Sequence, residues 1–318
     1  MANVERGNQS KVTEFILRGF RILHPFQMEP FVLVLLTYIT TVAGNTLIIV
    51  TVLVDRGLHI PMYSFLGNLS FLDIWYTSNI VPKMLQGFLA EKGVAISFNS
   101  CIAQLYIFGS QATTEILLLT VMVYDRYLAI CNLLHYMALM NTRVCIDLAS
   151  CSWLGGFLLN PVIIAWIYRL HFCGPNEIDH FFCDFMPLVK LSCSDTHLII
   201  LAAFLVSATA TLIPFLLTLI SYAFIIVAIV KNPSSTGRRK VFSTCTSHLI
   251  MVSTFCGALA IIYLVPTDSA AINLNKMFSL LYSLVTPLLN LLIYSLRNKD
   301  VNDALRTMAS RLMAFPRR

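Results

Sequence analysis

The sequence predicts an all-α membrane protein, a bundle of seven transmembrane helices, and three observations predict it. Charge is scarce: Asp, Glu, Lys and Arg make up 12% of the chain against 57% hydrophobic residues, with a mean hydropathy of +0.76. A soluble domain carries about 25% charge. The scarcity comes in blocks, leaving seven apolar stretches of the roughly 20 residues that a membrane-spanning helix needs. Within each stretch the apolar run is continuous rather than alternating, which excludes a β-barrel.

The spans run at about Phe26–Val54, Met62–Phe88, Ile102–Ile130, Val144–Ile167, Leu198–Val230, Val241–Val265 and Met277–Leu296. The second, third and seventh contain polar residues but stay largely uncharged. Connections are short, so neighbouring spans are antiparallel. The loop Lys231–Lys240 is short and turn-forming, whereas Tyr168–Thr196 is long enough to be functional or stapled. After the seventh span, Val301, Leu305, Met308 and Leu312 recur at helical spacing among charges, predicting a short amphipathic helix over Asn298–Met313 on the cytoplasmic surface. The chain reads as a single domain, residues 1–318. An extracellular and flexible tail covers residues 1–25, the bundle 26–296 and a cytoplasmic tail 297–318.

Orientation follows from the basic residues. With the N-terminus outside, about 13 of the 22 Lys and Arg fall on the cytoplasmic side against about five acids, and the outer side balances. The positive-inside rule selects that arrangement, predicting a multi-pass plasma-membrane protein. The basic cytoplasmic rim suits anionic lipid and an acidic protein partner, not nucleic acid. Residues 1–25 contain no apolar signal segment, so the first span initiates insertion. Asn8-Gln9-Ser10 is a glycosylation sequon on the outer tail, while Asn68-Leu69-Ser70 falls inside the second span, where it is a chance match.

Three groups of polar residues stand out against the apolar background. Asp125-Arg126-Tyr127 closes the third span. Sequence neighbours leave a helix about 100° apart and need not satisfy each other, so Arg126 can exchange partners, as a switch must. Asp73 and Glu115 lie at depth, where an ionised carboxylate costs roughly 2.5–3.5 kcal/mol. Two of them about 4 Å apart would add about 4 kcal/mol at an effective dielectric near 20, so the pair either shares a proton or binds a cation. Four of the nine cysteines (Cys101, Cys173, Cys183 and Cys193) are extracellular in this topology, which leaves three pairings open. No short paired Cys/His spacing supports a metal site. The seven His residues fall mostly in loops or near span ends, which reads as interfacial.

These features resemble the olfactory receptors, a branch of the rhodopsin-like G-protein-coupled receptors, in their tetrapod-type class. The resemblance is carried by Val123-Tyr124-Asp125-Arg126-Tyr127-Leu128-Ala129-Ile130-Cys131, by Val12 to Leu17, by Gly44-Asn45, and by Leu58 to Ser70 with Asp73 and Pro82-Lys83-Met84-Leu85. Phe242 to Leu249, Ser221-Tyr222, Asn290 and Ile293-Tyr294-Ser295-Leu296-Arg297-Asn298 extend it across nearly the whole chain. Four positions depart from the pattern. Leu291 replaces a Pro after Asn290, Leu133 a Pro after Asn132, Val241 an Ala and Cys256 a Tyr. Loss of a helical Pro removes a kink, which bears on signalling efficiency rather than membership.

The resemblance implies several roles. Disulfides would join Cys101 to Cys183 and Cys173 to Cys193. Arg126 would hold the cytoplasmic end closed through Asp125 and, in the active state, turn toward Tyr222, Tyr294 and a heterotrimeric G protein of the stimulatory olfactory type, raising cyclic AMP. A sodium ion at Asp73 and Glu115 would stabilise the inactive bundle as an allosteric modulator, with a shared proton as the alternative, and no other cofactor is implied. Phased from Arg126, the third span turns Leu105, Phe108, Gly109, Ala112 and Thr113 inward. The fifth adds Val206, Ser207 and Ala210, and the sixth Cys256, Leu259, Ala260 and Tyr263. This set holds no acid or base, and Phe108 takes the position where amine receptors carry Asp. An ionic ligand would be left unpaired at a cost of several kcal/mol. The expected ligand is therefore a small, neutral, hydrophobic odorant: an alcohol, ketone, aldehyde or ester. A non-odorant metabolite received outside the nose is the alternative. A transporter would show interrupted helices in an inverted repeat, and an enzyme a convergent nucleophile and base; neither pattern is present in the sequence.

Overall fold

The computed structural model describes residues 12–20, 28–231, 246, 249–250, 252–254, 257, 269–297 and 299–314, with side chains beyond 257 given for 275–293, 301–307 and 310. In chain order the elements are β1 (Glu14–Leu17), α1 (Met28–Val54), α2 (Pro61–Leu89), β2 (Val94–Ser97), α3 (Phe98–Cys131), α4 (Tyr136–Leu139), α5 (Thr142–Leu159), α6 (Pro161–Ile167), β3 (Glu177–Ile178), α7 (Phe185–Val189), α8 (His197–Lys231), α9 (Ser269–Leu280), α10 (Thr286–Arg297) and α11 (Lys299–Ala314). Five helices are long and apolar enough to cross a membrane: Met28–Val54, Phe98–Cys131, Thr142–Ile167, His197–Lys231 and Asn275–Ile293. α2 is as long, at 29 residues. It is less apolar because it turns Ser70, Asp73 and Thr77 into the bundle, where all three are buried. The expected span Val241–Val265 and the loop after Lys231 lie largely outside the described residues.

Local sequence sets the helix ends. Pro161 has no N–H to continue α5, so the helix breaks at Asn160 and restarts as α6. Ser97 caps α3 by accepting from the Ser100 N–H at 3.2 Å, and Asn141 caps α5 through the Val144 N–H at 3.0 Å. Hydroxyls inside the apolar helices turn back onto their own backbone: Thr113 donates to the Gly109 carbonyl, Thr114 to Ser110 and Thr120 to Ile116. Such bonds let a polar residue sit where no water reaches.

α3 is the centre of the assembly, packed against α2, α5 and α8, while α1 packs on α2, α10 and α11. The largest apolar cluster joins Leu66, Leu69, Leu118, Leu119 and Met122 with Leu291 and Val301. Leucines facing away from it remain exposed, Leu53 at 70% and Leu158 at 69%. Apolar surface of that extent on a folded chain suits lipid, not water.

At Leu291, which departs from the resembled pattern, the side chain packs on α1. Leu291 lies against Gly44 of α1, so close that a Cβ at 44 would stand 3.1 Å from its Cγ. The helical irregularity sits about two turns earlier, as a wide π-turn at Leu281–Val285 just before Pro287. Pro287 cannot bond the carbonyl four residues back, and a widened turn relieves that defect. Leu133 is 71% exposed between α3 and α4.

The N-terminal tail, expected to be flexible, contributes the middle strand of a three-stranded sheet ordered β2-β1-β3. β1 runs antiparallel to β2 (Glu14 opposite Ser97) and parallel to β3 (Ile16 opposite Glu177). Alternation explains it: Phe15 and Leu17 are buried beneath the sheet. Gly93, at φ +88°, makes the turn into β2, where a Cβ would meet the Leu17 carbonyl oxygen at 2.7 Å. Arg18 pairs with Glu177, and buried Lys276 reaches Asp179 at 2.6 Å and the Gly19 carbonyl at 3.2 Å. These ties fasten the sheet over the end of the bundle. The same layer holds one exception to the mostly interfacial histidines: His180 is buried between Phe181 and Phe182, with ring centroids 4.6 Å from each. Burial, and next the Lys276 charge, lower its pKa to about 3.

Candidate functional site

Two disulfides organise the lidded end. Cys101 on the first turn of α3 is bonded to Cys183, with Cα atoms 5.4 Å apart, and Cys173 to Cys193. The Cys183 N–H also donates to Gln104 Oε1 at 2.9 Å. The connecting segment is thus held down over α3 and covers a cavity.

That cavity has a volume of about 100 Å³. Leu105, Phe108, Gly109, Ala112 and Thr113 of α3 and Val206, Ser207 and Ala210 of α8 all line it. Cys256, Leu259, Ala260 and Tyr263 lie outside the described residues. Its other walls come from Asn160, Ile163 and Ile164 at the α5–α6 break and from Tyr282 of the π-turn. Helical phasing missed these because the α5–α6 break and the π-turn, not a regular period, bring them inward.

One member of the wall corrects the expectation that no acid lines the site. Asp184, next to Cys183, is part of the lining. Its Oδ1 accepts the Phe185 N–H at 2.8 Å, capping α7. Burial raises its pKa to about 6, against the lowering effect of that hydrogen bond. A signal was available in the sequence: a bond from Cys183 to Cys101 seats residue 184 within about a turn of Leu105.

A larger hollow of about 950 Å³ lies between α2 and α5, toward the Asp125 end of the bundle, lined by Leu53, Phe71, Trp75, Ile146 and Trp153 among others. Leu53, Phe71 and Ile146 are each more than half exposed. The hollow is a side groove facing outward, so the smaller, covered cavity is the better candidate. Trp153 Nε1 donates to Asn68 Oδ1 at 3.1 Å beside this groove, so the amide of the chance sequon is in use within α2.

Halfway along the bundle, Asp73, Glu115 and Asn290 are each about 1% exposed and meet. Asn290 Nδ2 donates to Asp73 at 3.1 and 3.3 Å and approaches Glu115 Oε1 at 3.4 Å. Asn290 Oδ1 has no hydrogen-bond partner among the described residues. At the far end of α3, Asp125 is buried and accepts from Tyr136 Oη at 2.8 Å. Among the described residues no ion-pair contact within 4 Å links it to Arg126, although the two charges still attract through space. Burial, and then the Asp125 charge, raise the Tyr136 phenol above its ordinary pKa. Tyr127 packs with buried Tyr222 against Val123 and Ile225. The Tyr294 side chain and Asn8 lie outside the described residues. Among those described, no three His, Cys, Asp or Glu side chains converge as a metal site would require.

Comparison with known proteins carries the geometry to a family. The olfactory receptor family model matches residues 34–311. Human olfactory receptor 11A1 is 48% identical over 96% of both chains. Human olfactory receptor 6N1 is 45% identical over 97% of this chain and 99% of its own, and rat olfactory receptor 226 is 46% identical over 95% and 94%. A match of this extent shows that the chain is a multi-pass membrane receptor and belongs to the olfactory receptor family.

Proposed function

We propose that this receptor binds a small, uncharged, hydrophobic odorant in the covered cavity and activates a heterotrimeric G protein of the stimulatory olfactory type, raising cyclic AMP. As members of the olfactory receptor family, such chains are receptors and not enzymes. The observation that carries the reading is the convergence of α3, α8, the α5–α6 break and the Asp184 segment on one apolar cavity of about 100 Å³. An engineered apolar cavity of about 150 Å³ admits benzene, so this volume suits a ring-sized molecule once side chains adjust. A buried carbon skeleton contributes about 25 cal/mol per Å², while an anion would meet Asp184.

In this reading seven helices span the plasma membrane, the sixth at Val241–Val265, with the N-terminus outside, Asn8 glycosylated and α11 on the cytoplasmic surface. Ligand binding favours an outward-swung sixth helix by differential affinity for the two states. Arg126, with Asp125 held by Tyr136, then turns toward Tyr222, Tyr294 and the G protein. Asp73, Glu115 and Asn290 would hold a sodium ion in the inactive state. Two carboxylates supply hard oxygen donors, and rotation of the Asn290 amide would present its orphaned Oδ1.

The test is cyclic AMP output in transfected cells across a panel of alcohols, ketones, aldehydes, esters, acids and amines, with surface expression measured in parallel. Ala112→Phe, which fills the cavity, should abolish every response at unchanged expression. Arg126→Ala should do so by uncoupling. Activation only by charged acids or amines, or full signalling by either variant, would reject the proposal.

A further inference from the structure

Among the described residues, the polar atoms of the cavity wall are mostly acceptors. The Thr113 hydroxyl donates to the Gly109 carbonyl at 3.0 Å, and Tyr106 Oη donates to the Phe157 carbonyl at 2.9 Å. One N–H of Asn160 Nδ2 donates to the Gly156 carbonyl at 2.9 Å, while its Oδ1 lies over Gly109, 3.1 Å from where a Cβ would stand. The two hydroxyl donors and one of the two amide N–H groups are therefore turned into the protein, leaving acceptor lone pairs behind. Ser207 and Thr211 on α8 can serve in either sense.

Asp184 adds the strongest acceptor. Its neighbours Phe182 and Cys183 have no exposed surface, yet Asp184 keeps some and is part of the cavity lining. Among the described residues its carboxylate receives one hydrogen bond, from the Phe185 N–H, and no ion pair. A carboxylate has about four lone-pair sites, so most of its accepting capacity is open to a guest.

We infer that Asp184 is a specificity-determining residue that selects ligands bearing a hydroxyl donor, so that the receptor is tuned to alcohols over carbonyl compounds of the same skeleton. This deepens the odorant reading and rests on it. A hydroxyl entering the cavity donates to a carboxylate oxygen, a charge-assisted bond stronger than one between neutral groups. An aldehyde or ketone presents only lone pairs, which Asp184 and Asn160 Oδ1 repel. A carboxylate ligand is disfavoured further, by like charge.

The probes are size-matched pairs: octanol with octanal, menthol with menthone, and benzyl alcohol with benzaldehyde. Half-maximal concentrations for cyclic AMP output are read on wild type, Asp184→Asn, Asp184→Ser and Ala112→Phe, normalised to surface expression. Asn and Ser both retain an oxygen that can accept the Phe185 N–H, so the cap survives. Wild type should prefer the alcohol of any activating pair by roughly tenfold or more, the yield of one charge-assisted hydrogen bond. Either Asp184 variant should bring that ratio to within about threefold, mainly by weakening the alcohol. A wild-type ratio near one, or a preference that persists in an expressed Asp184 variant, overturns the inference while leaving the cavity reading intact. If Ala112→Phe leaves all responses unchanged, the cavity reading fails and the inference with it.

Discussion

Gly156→Ala should destabilise the bundle more than any other conservative glycine substitution in a helix away from the α1–α10 contact. A Cβ at 156 would stand 2.5 Å from the Ser110 carbonyl oxygen and 3.0 Å from the Thr114 N–H nitrogen, and would collide with Thr114 Oγ1. Two of those three atoms belong to the α3 backbone, so no rotamer change relieves the contact. α5 must retreat by roughly 1 Å, a gap that forfeits a quarter to a half of the dispersion energy of the atoms it separates. With the strain of overpacking, the cost is about 1–3 kcal/mol. The same seam carries Gly109 and Asn160, so the retreat would also widen the cavity. The assay is thermal unfolding of the detergent-solubilised receptor together with surface expression. Thr114→Ala in the same chain should recover part of the loss, because it removes Oγ1 but leaves the carbonyl of Ser110. Gly67→Ala is the internal control: nothing lies within 4 Å of its Cβ position, so helix propensity alone should make it neutral to about 1 kcal/mol stabilising. Equal unfolding temperatures for wild type and Gly156→Ala would refute the close-packing argument.

Three other outcomes follow from the geometry. Cys101→Ser and Cys183→Ser should each lose surface expression or response, and the double variant should be no worse than either single, since both remove one bond; additive losses would argue against a shared bond. His180, with a pKa lowered to about 3 from an ordinary value near 6.5, binds its proton more readily unfolded than folded. Stability should therefore fall as pH drops below about 6.5, by up to roughly 1.4 kcal/mol per pH unit, with burial the main cause and the Lys276 charge the second. His180→Phe should flatten that slope in a melting series, and an equal slope in both proteins would dismiss the assignment. Asp73→Asn should remove any sodium dependence of basal cyclic AMP, and a wild type indifferent to sodium would favour the shared proton at Asp73 and Glu115.

Much of this protein was legible in the chain itself. Blocks of apolar residues are a one-dimensional signal, and Phe98–Cys131 and His197–Lys231 agree with the expected spans to within four residues at each end. Helical phase is also local, which is why Leu105, Phe108, Gly109, Ala112 and Thr113 lie on one wall of the same cavity. Tertiary structure decided whatever depends on partners distant in sequence. Phe15 and Leu17 became a strand because β2 and β3, up to about 160 residues away, offer free edges. Asp125 gained a hydrogen bond from Tyr136 because α4, eleven residues on, folds back beneath the end of α3. Asp184 entered the cavity wall because Cys183 is bonded to Cys101, a closure across 82 residues that no periodicity records. Hydrophobic blocks and helical phase are properties of neighbouring residues, and the sequence by itself determines them. Which polar group meets which is settled only when loops close, and here those meetings shape the acceptor-rich cavity and the switch.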